Sequence, residues 1–336
     1  MTIYTSLKQP LCRWWRAGVV GVVLSGASLL AAAETAGPYP VKAVRMVIGF
    51  PPGGTTDQVG RLVAQKFSEL WGQAVIVENR SGAAGNIAAE NVAKSAPDGY
   101  TLMMGFDGTL VINPSVYPKL GFDTLRDFTA ISRVADAPVG IAAYPGFGAK
   151  TCAEMVAMAR AKPGALSFAS VGSGSTGHLA AELMLEQAKL KMTHVPYRGG
   201  GPATIDVIGG QVPLLYATLG TVAPHVRSGK LRLLAVTGAR RNSAFPDVPT
   251  VAECGFPGFD VVSWFGLVAP IGTPQYIVKK LHADVLKVLA MQDVRERFAG
   301  MGAIGAGSTP REFSDQMASE ITRWRKLVKD IDMKPD

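Results

Sequence analysis

Val44-Arg45-Met46-Val47-Ile48-Gly49-Phe50-Pro51-Pro52-Gly53-Gly54-Thr55-Thr56-Asp57 is the stretch that decides the fold. Residues 44–50 are mostly apolar and include β-branched side chains, which predicts a buried strand. Two prolines and two glycines then interrupt regular structure. Over residues 56–70, Val59, Leu62, Val63, Phe67 and Leu70 recur at helical spacing, and Gly72 stands where a helix C-terminal glycine belongs. Moving outward, residues 74–77 predict a second strand, 86–93 a short helix and 101–106 a third strand. This βαβαβ order implies a parallel sheet with helices on both faces.

The pattern restarts downstream. Residues 139–143, 166–171, 192–195, 212–216 and 231–237 read as strands, and 152–161 and 178–189 as helices among them. After Pro257 a buried strand is expected over 261–269, then three helices starting near Pro274, Asp293 and Pro310; proline suits the first helical turn. The expected fold is α/β and two-lobed, each lobe a mostly parallel sheet flanked by helices. Lobe one takes residues 34–138 plus 258–336 and lobe two 139–257.

Residues 1–33 carry a different message. Lys8, Arg13 and Arg16 precede the uncharged run 17–30, and Ala31-Ala32-Ala33 follows. This is the layout of a secretory signal peptide cleaved after Ala33, placing the mature chain in the periplasm. The apolar run is shorter than the ~20 residues of a membrane span. Cys12 precedes that run and so is not a lipoprotein cysteine. Cleavage leaves 303 of 336 residues and lowers the formal charge from +8 to +5. The basic residues are scattered without interleaved aromatics, which argues against nucleic-acid binding. Cys152 and Cys254 remain. They are read as two buried free thiols in preference to one disulfide; no metal-ligand spacing occurs.

Ligands of open α/β sheets bind beyond the carboxyl ends of strands. The loop there holds Phe50, Gly53, Gly54, Thr55, Thr56 and Asp57. Its glycines allow close approach, and the free amides of the next helix suit an anion. Neighbouring loops contribute Gly82, Gly85 and Asn86, then Asp107-Gly108-Thr109; Asn86 fits a helix cap and a ligand contact equally. In the second half, Ser170 leads through Val171 into Gly172-Ser173-Gly174-Ser175-Thr176-Gly177-His178. The glycines spell G-x-G-x-x-G between a strand and a helix, so an NADP-dependent oxidoreductase using residues 172–177 with Arg198 is the alternative reading. The acidic residue that the fingerprint wants about 20 positions on is missing from His194-Val195-Pro196-Tyr197-Arg198. Tyr197 suits ligand stacking or lobe-edge packing, and Arg198 a carboxylate. No G-x-S-x-G elbow is present, and the four histidines are tied to no nucleophile.

Across these loops the chain resembles the Bug family, the substrate-binding proteins of tripartite tricarboxylate transporters. The resemblance covers nearly all of the mature chain. It rests on Tyr39-Pro40, residues 50–57, Val77-Glu78-Asn79-Arg80, residues 82–86 and Pro97-Asp98-Gly99-Tyr100. It continues through 194–200, Gly209-Gly210-Gln211-Val212, Gly229-Lys230-Leu231-Arg232, 245–253 and Trp264-Phe265-Gly266-Leu267. The resemblance implies a monomeric periplasmic binding protein of the Venus-flytrap type, type II-like, with no catalytic activity and no cofactor. It implies that residues 50–57 and 170–178 grip one carboxylate of a small organic acid, partly through ordered waters, for delivery to membrane permease subunits. Family ligands are dicarboxylates, tricarboxylates, acidic amino acids, nicotinate-like compounds and aromatic acids. Where the family often carries an acidic residue, this chain has Pro213 or Ala217. A site at Ala217 cannot hold an ammonium by charge. A dicarboxylate, tricarboxylate or aromatic acid is therefore favoured over an amino acid, although Asp57 is retained.

Overall fold

The computed structural model describes residues 38–330, and those from Pro40 on form one compact unit. The signal-peptide reading and Cys12 lie outside the described residues.

Ten strands run in chain order: β1 (Val44–Ile48), β2 (Val75–Asn79), β3 (Thr101–Phe106), β4 (Phe128–Ala143), β5 (Ser167–Ser170), β6 (Thr193–Pro196), β7 (Leu214–Thr218), β8 (Arg232–Val236), β9 (Val262–Pro270) and β10 (Ile304–Gly305). β2-β1-β3 are parallel, as the βαβαβ order predicts, and so are β6-β5-β7. The helix Thr55–Trp71 starts one residue earlier than its periodicity and ends on Gly72 in the left-handed conformation. Helices Asn86–Ala93 and Cys152–Ala161 have the expected bounds.

The two sheets are joined rather than separate. β4 runs unbroken for 16 residues, of which only the last five were legible as a strand. Its first part, through Pro138, pairs antiparallel with β9; from Val139 on it pairs antiparallel with β7 and β8. β9 is in turn antiparallel to β3. Proline lacks the N–H of a ladder and is confined to strand edges and irregularities. Pro138 stands where β4 changes partners, and Arg133 and Asp136 break its apolar pattern. Those features hide the strand from a reading by periodicity.

Apolar clusters hold the layers together. Val47, Met103 and Val268 of the first sheet pack against Phe313, Met317, Ile321 and Trp324, so the helix Pro310–Asp330 closes the core around β1, β3 and β9. The second sheet buries Phe168, Tyr216 and Val139 on one face against the helices Cys152–Ala161 and Thr176–Ala188. On its other face Ala142, Leu215 and Val236 meet the helices Gly200–Ile208 and Leu219–Arg227. At ~25 cal/mol per Å² of apolar surface removed from water, burial of this kind is the main stabilising contribution.

Candidate ligand-binding cleft

The carboxyl ends of β1, β2, β5, β6 and β7 face one another across the junction of the two sheets. Two cavities open there. The larger, of about 240 Å³, is walled by Phe50, the turn 82–85, Tyr117, residues 171–173 and residues 196–198. The smaller, of about 20 Å³, lies among Phe50, Gly54, Thr55, Thr56, Phe106, Val171, Gly200, Thr218 and Thr221. Phe50 borders both, its ring edge-on to Phe106 at 5.4 Å.

Charge at the cleft comes chiefly from backbone. Helices Thr55–Trp71, Gly200–Ile208 and Leu219–Arg227 present first-turn residues to the small cavity, and Gly85, on the wall of the large one, is the N-cap of Asn86–Ala93. Gly172 and Ser173 lead into the N-cap Ser175 of Thr176–Ala188. Helix N-termini carry partial positive charge and free amides, so together they suit an anion. Arg198 adds a full charge. It is exposed, lines the large cavity and makes no ion pair among the described residues. No Asp or Glu lines either cavity. The Tyr197 hydroxyl donates to Asp206 at 2.7 Å, and burial together with that carboxylate pushes the phenol up to about 12.

The loops of the two sheets touch. The Thr55 amide donates to Thr221 Oγ1 at 3.2 Å, and Thr218 Oγ1 donates to Thr55 Oγ1 at 2.7 Å. Gln58 Nε2 donates to the Gly220 carbonyl, and the Tyr117 hydroxyl to the Ser173 carbonyl at 3.2 Å. A Cβ on Gly199 would lie 2.6 Å from Pro51 Cδ. These contacts join the loops of the two sheets across the cleft.

The expected site residues divide into two groups. Phe50, Gly54, Thr55, Thr56, Gly172, Ser173 and Tyr197 lie on the cavity walls. The others, Ala217 apart, support those walls. Asp57 accepts from the Gly53 amide, Arg61 and Asn79 Nδ2, so it braces the first loop. Asn86 Oδ1 accepts from Asn113 Nδ2 at 2.7 Å. Ser170 Oγ meets His194 Nε2 at 2.7 Å. The Gly174 amide donates to His178 Nδ1 at 3.3 Å, and Ser175 Oγ accepts from the His178 amide. The first bond assigns the His178 proton to Nε2, which faces Glu182 Oε1 at 3.6 Å. The His178 and His194 rings stack 3.7 Å apart beneath the second loop. Thr176 Oγ1 donates to Asp107 Oδ1 at 2.7 Å. Ala217 is buried within β7 opposite Gly140, next to the wall residue Thr218, and does not itself line either cavity.

Other wall residues escaped the sequence reading. Tyr117 arrives from a short helical segment with no marked pattern. Ala83 and Ala84 hold φ of 46° and 50°, a left-handed conformation that is costly for residues with a Cβ. Thr109 Oγ1 and Asn113 Nδ2 hold the Ala84 carbonyl from behind. Only the glycines on either side hinted at such a turn.

A two-lobed α/β clamp with helix N-termini around an interlobe cleft defines a solute-binding protein. The chain belongs to the tripartite tricarboxylate transporter family receptor family, whose model matches residues 59–333. It is 36% identical to the protein BugT of Bordetella pertussis over 317 residues, covering 94% of this chain and 97% of that one. Among solved structures it is similar to R. palustris Rpa4515 with adipate, at 37% identity and a TM-score of 0.86, covering 89% of this chain and all of that one. It is also similar to MatC (Rpa3494) from Rhodopseudomonas palustris with bound malate, at 35% identity and a TM-score of 0.81, covering 86% and 100%. The family is one of periplasmic solute-binding proteins rather than enzymes, which sets aside the nicotinamide reading of residues 172–177. Geometry agrees: the Tyr117 hydroxyl donates to the Ser173 carbonyl within residues 172–177.

Proposed function

We propose that this chain is an exported receptor that captures one small organic acid between its lobes and hands it to the membrane permease subunits of a tripartite tricarboxylate transporter. The observation that carries the reading is the convergence of helix N-termini and Arg198 on a cleft without an acidic wall residue. The ligand is a dicarboxylate, tricarboxylate or aromatic acid; the adipate and malate held by the two similar structures favour a dicarboxylate. One carboxylate is gripped by residues 50–57 and 170–178 through amides and hydroxyls, with Tyr197 and Arg198 toward the open side.

The lobes are residues 34–138 plus 258–336 and residues 139–257. The change of β4 partners between Pro138 and Val139 supports the first boundary. The mature monomer starts at Glu34 after signal cleavage.

Thermal-shift screening of ligand-free mature protein against organic acids tests this reading. A true ligand at a hundredfold excess over its Kd stabilises by about 2.7 kcal/mol. No response to any mono-, di-, tri- or aromatic carboxylate would defeat it.

A further inference from the structure

Away from the cleft, the second sheet carries a pair of thiols that the binding function does not use. Cys152 is the first residue of the helix Cys152–Ala161 and is buried in the cluster around Phe168 and Tyr216. Cys254 ends the short 3-10 turn Ala252–Cys254, is half-buried and packs against that same cluster. About a hundred positions separate them in sequence, yet they pack within one apolar cluster, and Cys254 shares a groove with Ala153, the residue next to Cys152. Cys254 also lines a surface groove of about 680 Å³ with Ala153, Val156, Phe256 and the basic Arg160 and Lys189. One thiol of the pair is thus reachable from solvent and the other lies behind it. Two cysteines in the core of a protein in a reducing compartment behave as small hydrophobes. In the periplasm the same proximity places them under oxidising conditions.

We propose that Cys152 and Cys254 close into an intrachain disulfide when the protein meets a disulfide-bearing oxidant, Cys254 attacking from the groove and Cys152 resolving from the core. The Cys254 thiolate attacks one sulfur of the oxidant's disulfide, forming a mixed disulfide and expelling the oxidant's first thiolate. Cys152 then gives up its proton and attacks the Cys254 sulfur, expelling the second thiolate. The two protein thiols lose two electrons and two protons; the oxidant disulfide becomes two thiols. The order follows from access. It also agrees with the local chemistry: the neighbouring Cys152 thiol holds the Cys254 thiol below its ordinary range, whereas Cys254 and burial push Cys152 up.

The bond joins two segments that flank the crossings between sheets. Cys152 follows β4, and Cys254 precedes β9. Both lie on the side of β7 and β8, so the crosslink stiffens that half without tying it to the other. The proposal stands whether or not the ligand is a carboxylate.

The test uses full-length protein exported to a bacterial periplasm, purified without reductant and exposed to excess oxidised glutathione. It is denatured, alkylated and cut with trypsin, and the monomer band is mapped. Peptides 151–160 and 242–279 should appear as one cross-linked species, with alkylation at Cys152 and Cys254 falling from complete, after reduction, to none. Reading at the peptide level keeps Cys12 out of the count. The oxidised protein should melt several degrees above the reduced protein, and Cys152→Ser and Cys254→Ser should each abolish that difference. Alkylation of both peptides in unreduced protein would overturn the proposal. So would glutathione stably attached to Cys254 with no cross-linked species, because Cys152 would then be unable to reach it.

Discussion

Gly199 is the position at which proposed closure is most directly testable. Its φ is +118°, in the region that favours glycine, and a Cβ there would sit 2.6 Å from Pro51 Cδ and 3.1 Å from Pro51 Cγ. Gly199 follows β6, whereas Pro51 follows β1, so this clash exists only when the loops of the two sheets meet. Gly199→Ala therefore adds two separable terms. Backbone strain, about 1–3 kcal/mol, burdens open and closed forms alike and lowers the thermal midpoint. The overlap, about 1–3 kcal/mol for an overpacked contact, opposes closure alone. If ligand binds the closed form, affinity falls by that second amount, about 5- to 150-fold. Pro51→Ala removes the atoms that would be struck. In the double variant, isothermal titration should recover most of the lost affinity while the midpoint stays low. The coupling between the two sites reports closure free of backbone strain. Gly199→Ala with wild-type affinity and a lowered midpoint would refute the reasoning, because the lobes would then not need this approach in order to bind.

Arg198→Ala should weaken acid binding about tenfold or more at low salt, and the loss should shrink at high salt, as measured by titration at two ionic strengths. Tyr117→Phe removes the hydroxyl that donates to the Ser173 carbonyl; affinity should fall about three- to tenfold with little change in the unliganded midpoint, on the ~1 kcal/mol scale of one hydrogen bond. Burial pushes the Asp107 carboxyl up to about 7, against the lowering by the Ser263 and Thr176 hydroxyls. A carboxyl raised in the folded state contributes stability below its unfolded value near 4 and loses it as pH rises through about 7. Relative to Asp107→Asn, the wild-type midpoint should thus gain as pH falls from about 8 to about 5, and parallel pH profiles would contradict this.

Much of the fold was legible because buried parallel strands write themselves as apolar runs closed by glycine or proline. Residues 44–50 and 101–106 are of this kind, and the intervening helix shows a clear stripe. What escaped depended on partners distant in sequence. β4 satisfies two sheets in turn, so Arg133, Asp136 and Pro138 meet local needs that no period-two pattern records. The antiparallel placement of β9 between β3 and β4 is likewise set by the chain's return, not by its own residues. At the cleft, the glycine-rich loops were legible because close backbone approach needs glycine. Asp57, Ser170 and His178 were equally visible as polar residues, but which way each side chain faces is decided by Arg61, Asn79, His194 and the Gly174 amide. Tyr117, Thr218 and Thr221 reach the walls from ordinary sequence and carry no local mark.

The placement of polar contacts across the cleft argues for unequal motion during the proposed closure. Because β4 crosses between the sheets without a break, no free linker is available there, and bending must concentrate where its partners change. Ser263 pairs with Ala137, next to Pro138, and its hydroxyl shares Asp107 Oδ1 with Thr176. That fully buried cluster links both halves beside the pivot, where a rotation displaces atoms least. The Thr55–Thr221 and Tyr117–Ser173 contacts join loops at the cavities, where the same rotation separates partners. Hydrogen bonds lengthened past their normal range contribute little, so opening would break the cleft contacts and preserve the pivot. The thresholds differ in cost as well. Asp107 is fully buried, whereas Thr55, Thr221 and Tyr117 stand at the cavities, where water can take over their bonds. Under the proposed closure, the closed form would be held by bonds that are individually weak and exchangeable, which would leave the decision between open and closed to the ligand.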